Sequence, residues 1–131
     1  MTPESISRAL RSHIDTNWSA LPVSWPNRPF DTTTYPNYIK PRVKLGESFV
    51  GEMGTGGIGH RVGAYFIAIL MEPNTGESTA ASYAGQLEVM FRKQTIGGVI
   101  TEEPSSTIVG INGDGKYQYN VKIPFRCFIG E

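Results

Sequence analysis

The chain predicts an α+β domain, a mostly antiparallel sheet with two helices packed on one face. Apolar residues recur at helical spacing in two segments and alternate with period two elsewhere. Connections rich in glycine, proline and asparagine separate these segments. With 131 residues the chain forms one domain, 1–131, large enough to bury a core without covalent staples. The expected order of elements is α–β–β–β–α–β–β.

The first element is a helix. Thr2 caps it, Pro3 fits the first helical position, and Glu4 complements the positive end of the dipole. Ile6, Leu10, Ile14 and Trp18 recur every four residues and form one apolar stripe. Arg8 and Arg11 lie off the stripe and are expected in solvent, and His13 borders it as a helix-flank residue. Between Leu21 and Pro36, four prolines exclude a long helix but admit short extended pieces such as Val23-Ser24-Trp25. Trp25 and Phe30 are expected to pin this segment to the core.

Tyr38 to Leu45 alternates, with Ile39, Val43 and Leu45 on one face and Lys40, Arg42 and Lys44 on the other, as in a half-buried strand. Pro41 removes a ladder donor, which points to an edge. The three cations face water or a partner and are candidate interface residues. Residues 62–71 are apolar on both faces, as expected of a central strand covered on both sides by helices or by a neighbouring subunit. A second helix is expected from about Ser78 to Lys93. Its apolar face is Ala80, Ala84, Leu87 and Phe91, Arg92 and Lys93 fall in its last turn, and Gly97-Gly98 stops it. Residues 107–111 and 117–128 read as strands joined by a turn at Asn112-Gly113-Asp114-Gly115, whose residues tolerate positive φ. In the last strand Tyr117, Tyr119, Val121, Ile123, Phe125 and Cys127 face inward, while Pro124 suggests an edge or a bulge.

Gly51 to Arg61 holds five glycines in eleven residues. Consecutive backbone N–H groups in such a run can cradle a phosphate, and Gly54, Gly56 and Gly59 match the spacing Gly-x-Gly-x-x-Gly. Nucleotide-binding loops of that kind open onto a helix, and the next ten residues here read as a strand. No lysine follows the glycines, so the Walker pattern is missing as well. A flexible hairpin loop at about 51–60 is the better reading, with Gly51, Gly54, Gly56, Gly57, Gly59, His60 and Arg61 as candidate assembly residues. A small phosphate- or nucleotide-binding domain that uses this loop is the alternative.

Lys and Arg total 12, as do Asp and Glu, so a general nucleic-acid-binding role is not expected. Residues 1–44 carry six basic and three acidic side chains and residues 45–131 six and nine, an asymmetry that suits head-to-tail assembly. His13 and His60 are far apart and Cys127 is single, which leaves no metal-ligand spacing and no disulfide. No Gly-x-Ser-x-Gly elbow occurs, and Glu102-Glu103 reads as solvated surface because neighbours in extended chain point apart. No catalytic constellation and no cofactor site is expected. No apolar run reaches the roughly 18 residues of a membrane span, so an intracellular, soluble protein is expected.

The segments together resemble the tail-terminator-like proteins of tailed bacteriophages and prophages nearly end to end. The resemblance runs through the N-terminal amphipathic helix, Leu21-Pro22-Val23-Ser24-Trp25-Pro26-Asn27-Arg28-Pro29-Phe30 and Tyr38-Ile39-Lys40-Pro41-Arg42-Val43. It continues through the glycine-rich turn, His60-Arg61-Val62-Gly63-Ala64-Tyr65 and the alanine-bearing helix. It closes with Gly113-Asp114-Gly115-Lys116-Tyr117 and Val121-Lys122-Ile123-Pro124-Phe125-Arg126. It implies a structural virion component without a cofactor. Such a protein forms a homo-oligomeric ring, a hexamer favoured, that caps the tail tube, stops its polymerisation and offers the head-joining surface. The implied partners are copies of itself, tail-tube protein and head–tail connector proteins, with DNA only passing through the lumen and no membrane. The implied location is the virion tail, and the host cytoplasm during assembly.

Overall fold

A computed structural model of the chain describes residues 2–50, 59–73 and 77–129. Helix α1 spans Pro3–Asn17, strand β1 Tyr38–Val50, β2 Gly59–Met71 and helix α2 Glu77–Phe91. Strands β3 (Thr95–Ile96), β4 (Val99–Thr101), β5 (Ser105–Ile111) and β6 (Tyr117–Ile129) follow. The sheet runs β1-β2-β6-β4-β3, and β5 pairs with β6 alongside β4; every pairing is antiparallel. The expected class holds and the order roughly fits, with two differences: two strands instead of three lie between the helices among the described residues, and a β3–β4 hairpin is added between α2 and β5.

α1 starts in a reciprocal capping box. The Ser5 N–H donates to Thr2 Oγ1 at 3.1 Å, and the Thr2 N–H donates to Ser5 Oγ at 2.9 Å. Ile6, Leu10, Ile14 and Trp18 are buried as the stripe predicts. They share one apolar cluster with Ala80, Ala84, Leu87 and Phe91 of α2 and with Tyr65, Ile67, Ile69, Val121, Ile123 and Phe125 of the sheet, so both helices cover the same sheet face. His13 links them. Its Nε2 lies 2.7 Å from the Met90 carbonyl, which can only accept, so Nε2 carries the hydrogen. The imidazole also meets the Phe91 ring edge-on, with centroids 4.9 Å apart.

Both prolines sit where a missing donor does no harm. In β1, Ile39 turns its N–H and C=O away from β2, to Pro22 O (3.0 Å) and Ser24 N (2.8 Å), so the short piece at 22–24 covers part of the edge. By alternation, the absent N–H of Pro41 also faces outward and the β1–β2 ladder loses nothing. Pro124 is not on an edge strand, because β6 lies between β2 and the β4/β5 pair. Its carbonyl accepts from Glu102 N at 2.8 Å, so its absent N–H points into the gap where β5 pairing stops at Lys122 and β4 pairing starts at Phe125.

α2 ends at Phe91, earlier than its composition suggests, so Arg92 and Lys93 follow the last turn instead of occupying it. Thr101 causes the stop. This buried side chain donates to the Phe91 carbonyl and accepts from Gln94 N at 2.7 Å, while its own N–H donates to Gln94 O at 2.8 Å. Lys93 takes a left-handed φ of 48° to allow this. Gly97-Gly98 therefore does not end the helix. With φ of 56° and 95°, the pair makes the two-residue turn of the β3–β4 hairpin, a conformation that glycine reaches without strain. Phe30 also differs from expectation: it joins Tyr35 and Tyr38 (centroids 5.8 and 4.8 Å away), whereas Trp25 does pack against the main core.

Gly63 is fixed by proximity. A Cβ there would lie 2.6 Å from the Lys44 carbonyl and 2.8 Å from the Phe125 ring, which crosses over it. Gly63→Ala is expected to cost about 1–3 kcal/mol by overpacking, read as a lower urea midpoint. An unchanged midpoint would show that the sheet gives way at this point. Thr101→Val keeps shape but leaves the Gln94 N–H and Phe91 C=O without their buried partner. A loss of about 1–3 kcal/mol in the same assay is expected.

Candidate functional site

Gly51, Gly54, Gly56 and Gly57, the centre of the glycine-rich run, lie outside the described residues. Its flanks are defined. Val50 pairs with Gly59, and Gly59 pairs on its other side with Ile129, so the run joins neighbouring antiparallel strands and no helix follows it. Gly59, His60 and Arg61 belong to β2 itself, not to a loop, and Arg61 is half-buried there.

Lys40, Arg42 and Lys44 are exposed together on the sheet face that the helices leave open, opposite Ala68, Phe66 and Ala64 of β2. Lys122 continues the row, since β6 places it opposite Phe66. A shallow depression of about 430 Å³ opens here, and Gln118 and Asn120 form its far wall. Among the described residues none of the four cations has an ion pair. β2 is thus central, yet only its Tyr65–Ile67–Ile69–Met71 face is covered by helices. Glu102 and Glu103 do point apart: Glu102 pairs with Arg126 at 3.0 Å and Glu103 with Arg92 at 2.8 Å.

Two surface features escaped sequence reasoning. The first is β5. It carries no charged residue, Ile108, Val109 and Ile111 are exposed on it, and its outer edge has no neighbouring strand among the described residues. Its lack of charge was visible in the sequence, whereas its place at an open edge is a matter of topology. The second is a cleft of about 330 Å³ between α1, the proline segment and β1, lined by Arg11, Trp25, Arg28, Arg42 and Tyr65. Asn27, at a left-handed φ of 57°, turns the chain between Pro26 and Arg28 at its rim. Tyr65 is almost fully buried and burial raises its pKa well above the phenol range, so its hydroxyl is a donor at any ordinary pH. Arg11 opposes that shift and Asp15 adds to it. Among the described residues no cluster of histidine, cysteine and carboxylate side chains suits a metal, and no helix is long and apolar enough to cross a membrane.

One helix-covered face, one open cationic face and one bare apolar edge define an α+β domain whose distinctive chemistry lies on its surfaces. The profile of phage tail terminator proteins matches residues 5–125, and the chain belongs to that family. It is a structural component of the phage tail. One solved structure, of a protein whose name is only a sequence identifier, is similar over 100% of this chain and 99% of its own, with a TM-score of 0.70 at 17% identity. At that identity the likeness shows the fold alone. No curated protein matches the chain.

Proposed function

We propose that this chain assembles into a closed ring, a hexamer favoured, that caps the tail tube, stops its growth and presents the surface to which the head is joined. The family match over residues 5–125 carries this reading. The distribution of surface features supports it. A ring needs two different, complementary patches on each subunit. The uncharged apolar edge of β5 and the cationic face of β1 lie on opposite sides of the sheet order. An exposed apolar edge strand is an aggregation hazard unless something covers it, and a neighbouring subunit is the natural cover. The glycine-rich connection and the Lys40–Arg42–Lys44 face are the proposed contacts with the next subunit or with tail-tube protein. DNA passes through the lumen, and head–tail connector proteins bind the outer rim. The virion tail is the site of action, after assembly in the host cytoplasm.

Light scattering and negative-stain imaging, with and without tail-tube protein, test this. Rings are expected at least in its presence; a monomer under both conditions overturns the reading. Ile108→Asp with Ile111→Asp leaves an unchanged thermal unfolding midpoint and abolishes rings, because two carboxylates cannot be buried cheaply at an apolar contact. Rings that persist in this variant would remove β5 from the interface. Shortening the chain by residues 54–57 is expected to preserve folding and weaken assembly. Loss of folding would instead make that connection structural.

A further inference from the structure

We propose that the cleft between α1, the proline segment and β1 is a docking site for an acidic segment of another protein. A carboxylate sits among Arg11, Arg28 and Arg42, and an apolar neighbour lies on Trp25. The proposal does not depend on the ring. Its first support is an unbalanced set of charges. Arginines from three separate elements line one cleft of about 330 Å³ with no acidic residue in its lining, and Arg42, on the edge strand β1, borders both this cleft and the open-face depression. Among the described residues none of the three takes part in an ion pair. Three other arginines pair within the chain: Arg8 with Glu4, Arg92 with Glu88 and Glu103, and Arg126 with Glu102. Convergent like charges repel, and a carboxylate that accepts bidentate hydrogen bonds from guanidinium groups relieves that repulsion.

The second support is independent of charge. Tyr65 is 3% exposed, lines the cleft and brings a hydroxyl donor to it. The Trp25 indole N–H is a further donor with no hydrogen-bond partner among the described residues. The cleft therefore offers donors and no acidic acceptor, which suits an oxyanion. Of its remaining lining, Pro26, Pro41 and Val43 beside the Trp25 ring are apolar, and Ser7 adds a hydroxyl. A peptide places an aliphatic side chain there, and a phosphodiester backbone has none to offer. Nucleic-acid grooves instead extend as a basic track along several phosphates, on proteins with a basic surplus. This chain has net charge zero, and one compact cleft is no track.

The test is NMR of the full chain, observing backbone amides, arginine Nε–H groups and the Trp25 indole N–H. The probes are an acetylated peptide of alternating glutamate and leucine, its lysine–leucine counterpart, and a short oligothymidylate. The acidic peptide is expected to shift the signals of Trp25, Arg11, Arg28 and Arg42, and to bind more weakly as salt rises from about 50 to about 300 mM. Each of Arg11→Gln, Arg28→Gln and Arg42→Gln should weaken binding about tenfold, as expected for a charge-assisted hydrogen bond. Tyr65→Phe should weaken it by a smaller factor, about threefold. Lys44→Gln with Lys122→Gln removes charge from the open face and should leave affinity within about twofold. The amide spectrum of each variant reports whether it has folded, and the wild-type shifts require no variant. Four results would each overturn the proposal: no shift at millimolar acidic peptide, shifts elsewhere, equal loss in the lysine variant, or a larger response to oligothymidylate.

Discussion

The β2–β6 ladder is the constraint on which the rest of this structure depends. All 13 residues of β2, from Gly59 to Met71, pair in unbroken register with β6. Because the side-chain period of a strand is two, a slip of one residue would send Tyr65, Ile67 and Ile69 to the open face. Each of these side chains contributes about 1.5–3 kcal/mol by burial, so the register is strongly specified. β1 hangs on one side of this pair, β4 and β5 share the other, and both helices pack on its single apolar face. Gly63 and Phe125 lock the pair at one point: the Phe125 ring occupies space that only a residue without Cβ leaves vacant.

What could be seen in the sequence follows from how far each signal reaches along the chain. The alternation through Val121, Ile123, Phe125 and Cys127, and the four-residue recurrence of Ile6, Leu10 and Ile14, are local patterns repeated enough to name an element and its buried face. The Asn112–Gly115 turn is equally local: Asn112 Oδ1 accepts from Asp114 N at 2.9 Å and Lys116 N at 3.1 Å. The β3–β4 hairpin has strands of two and three residues, too short for any period to show. The end of α2 was misjudged for a different reason. Its stop comes from Thr101, ten residues beyond Phe91, whereas the helix-compatible Arg92 and Lys93 lie next to it. Pro124 misled because proline reports only a missing donor, and the gap between two partner strands accommodates that as well as a true edge does.

The candidate site divides in the same way. Lys40, Arg42 and Lys44 share a face by simple alternation, so their grouping was legible. That their face is open depended on where α1 and α2 pack. The arginine cleft was not legible at all, since residues 11, 28 and 42 belong to a helix, an irregular segment and a strand. Arg11 lies off the apolar stripe and was expected in solvent, and only the fold shows which neighbours it meets there. The zero net charge concealed this segregation. Acidic residues pair with Arg92, Lys116 and Arg126 of the C-terminal half, while Arg11, Arg28, Lys40, Arg42 and Lys44 of the first 44 residues have no ion pair among the described residues.

That distribution bears on how a small tail protein of this family can act without a reaction centre. Interactions that are complete within one chain add stability but recruit nothing. The β2–β6 ladder, the α1–α2 link through His13 and the Thr101 cap are complete in this sense. The β5 edge, the open face of β1 and the arginine cleft are incomplete: each presents hydrogen-bonding groups, apolar surface or charge that the described residues do not satisfy. These features lie at the margins of the sheet or on its uncovered face, so a partner can engage them without disturbing the ladder. A chain that docks in this way as a rigid body would lose little conformational freedom, and more of the contact energy would then appear as affinity. The proposed role, stopping a growing tube at a fixed geometry, needs this combination of a tightly specified centre and unsatisfied margins.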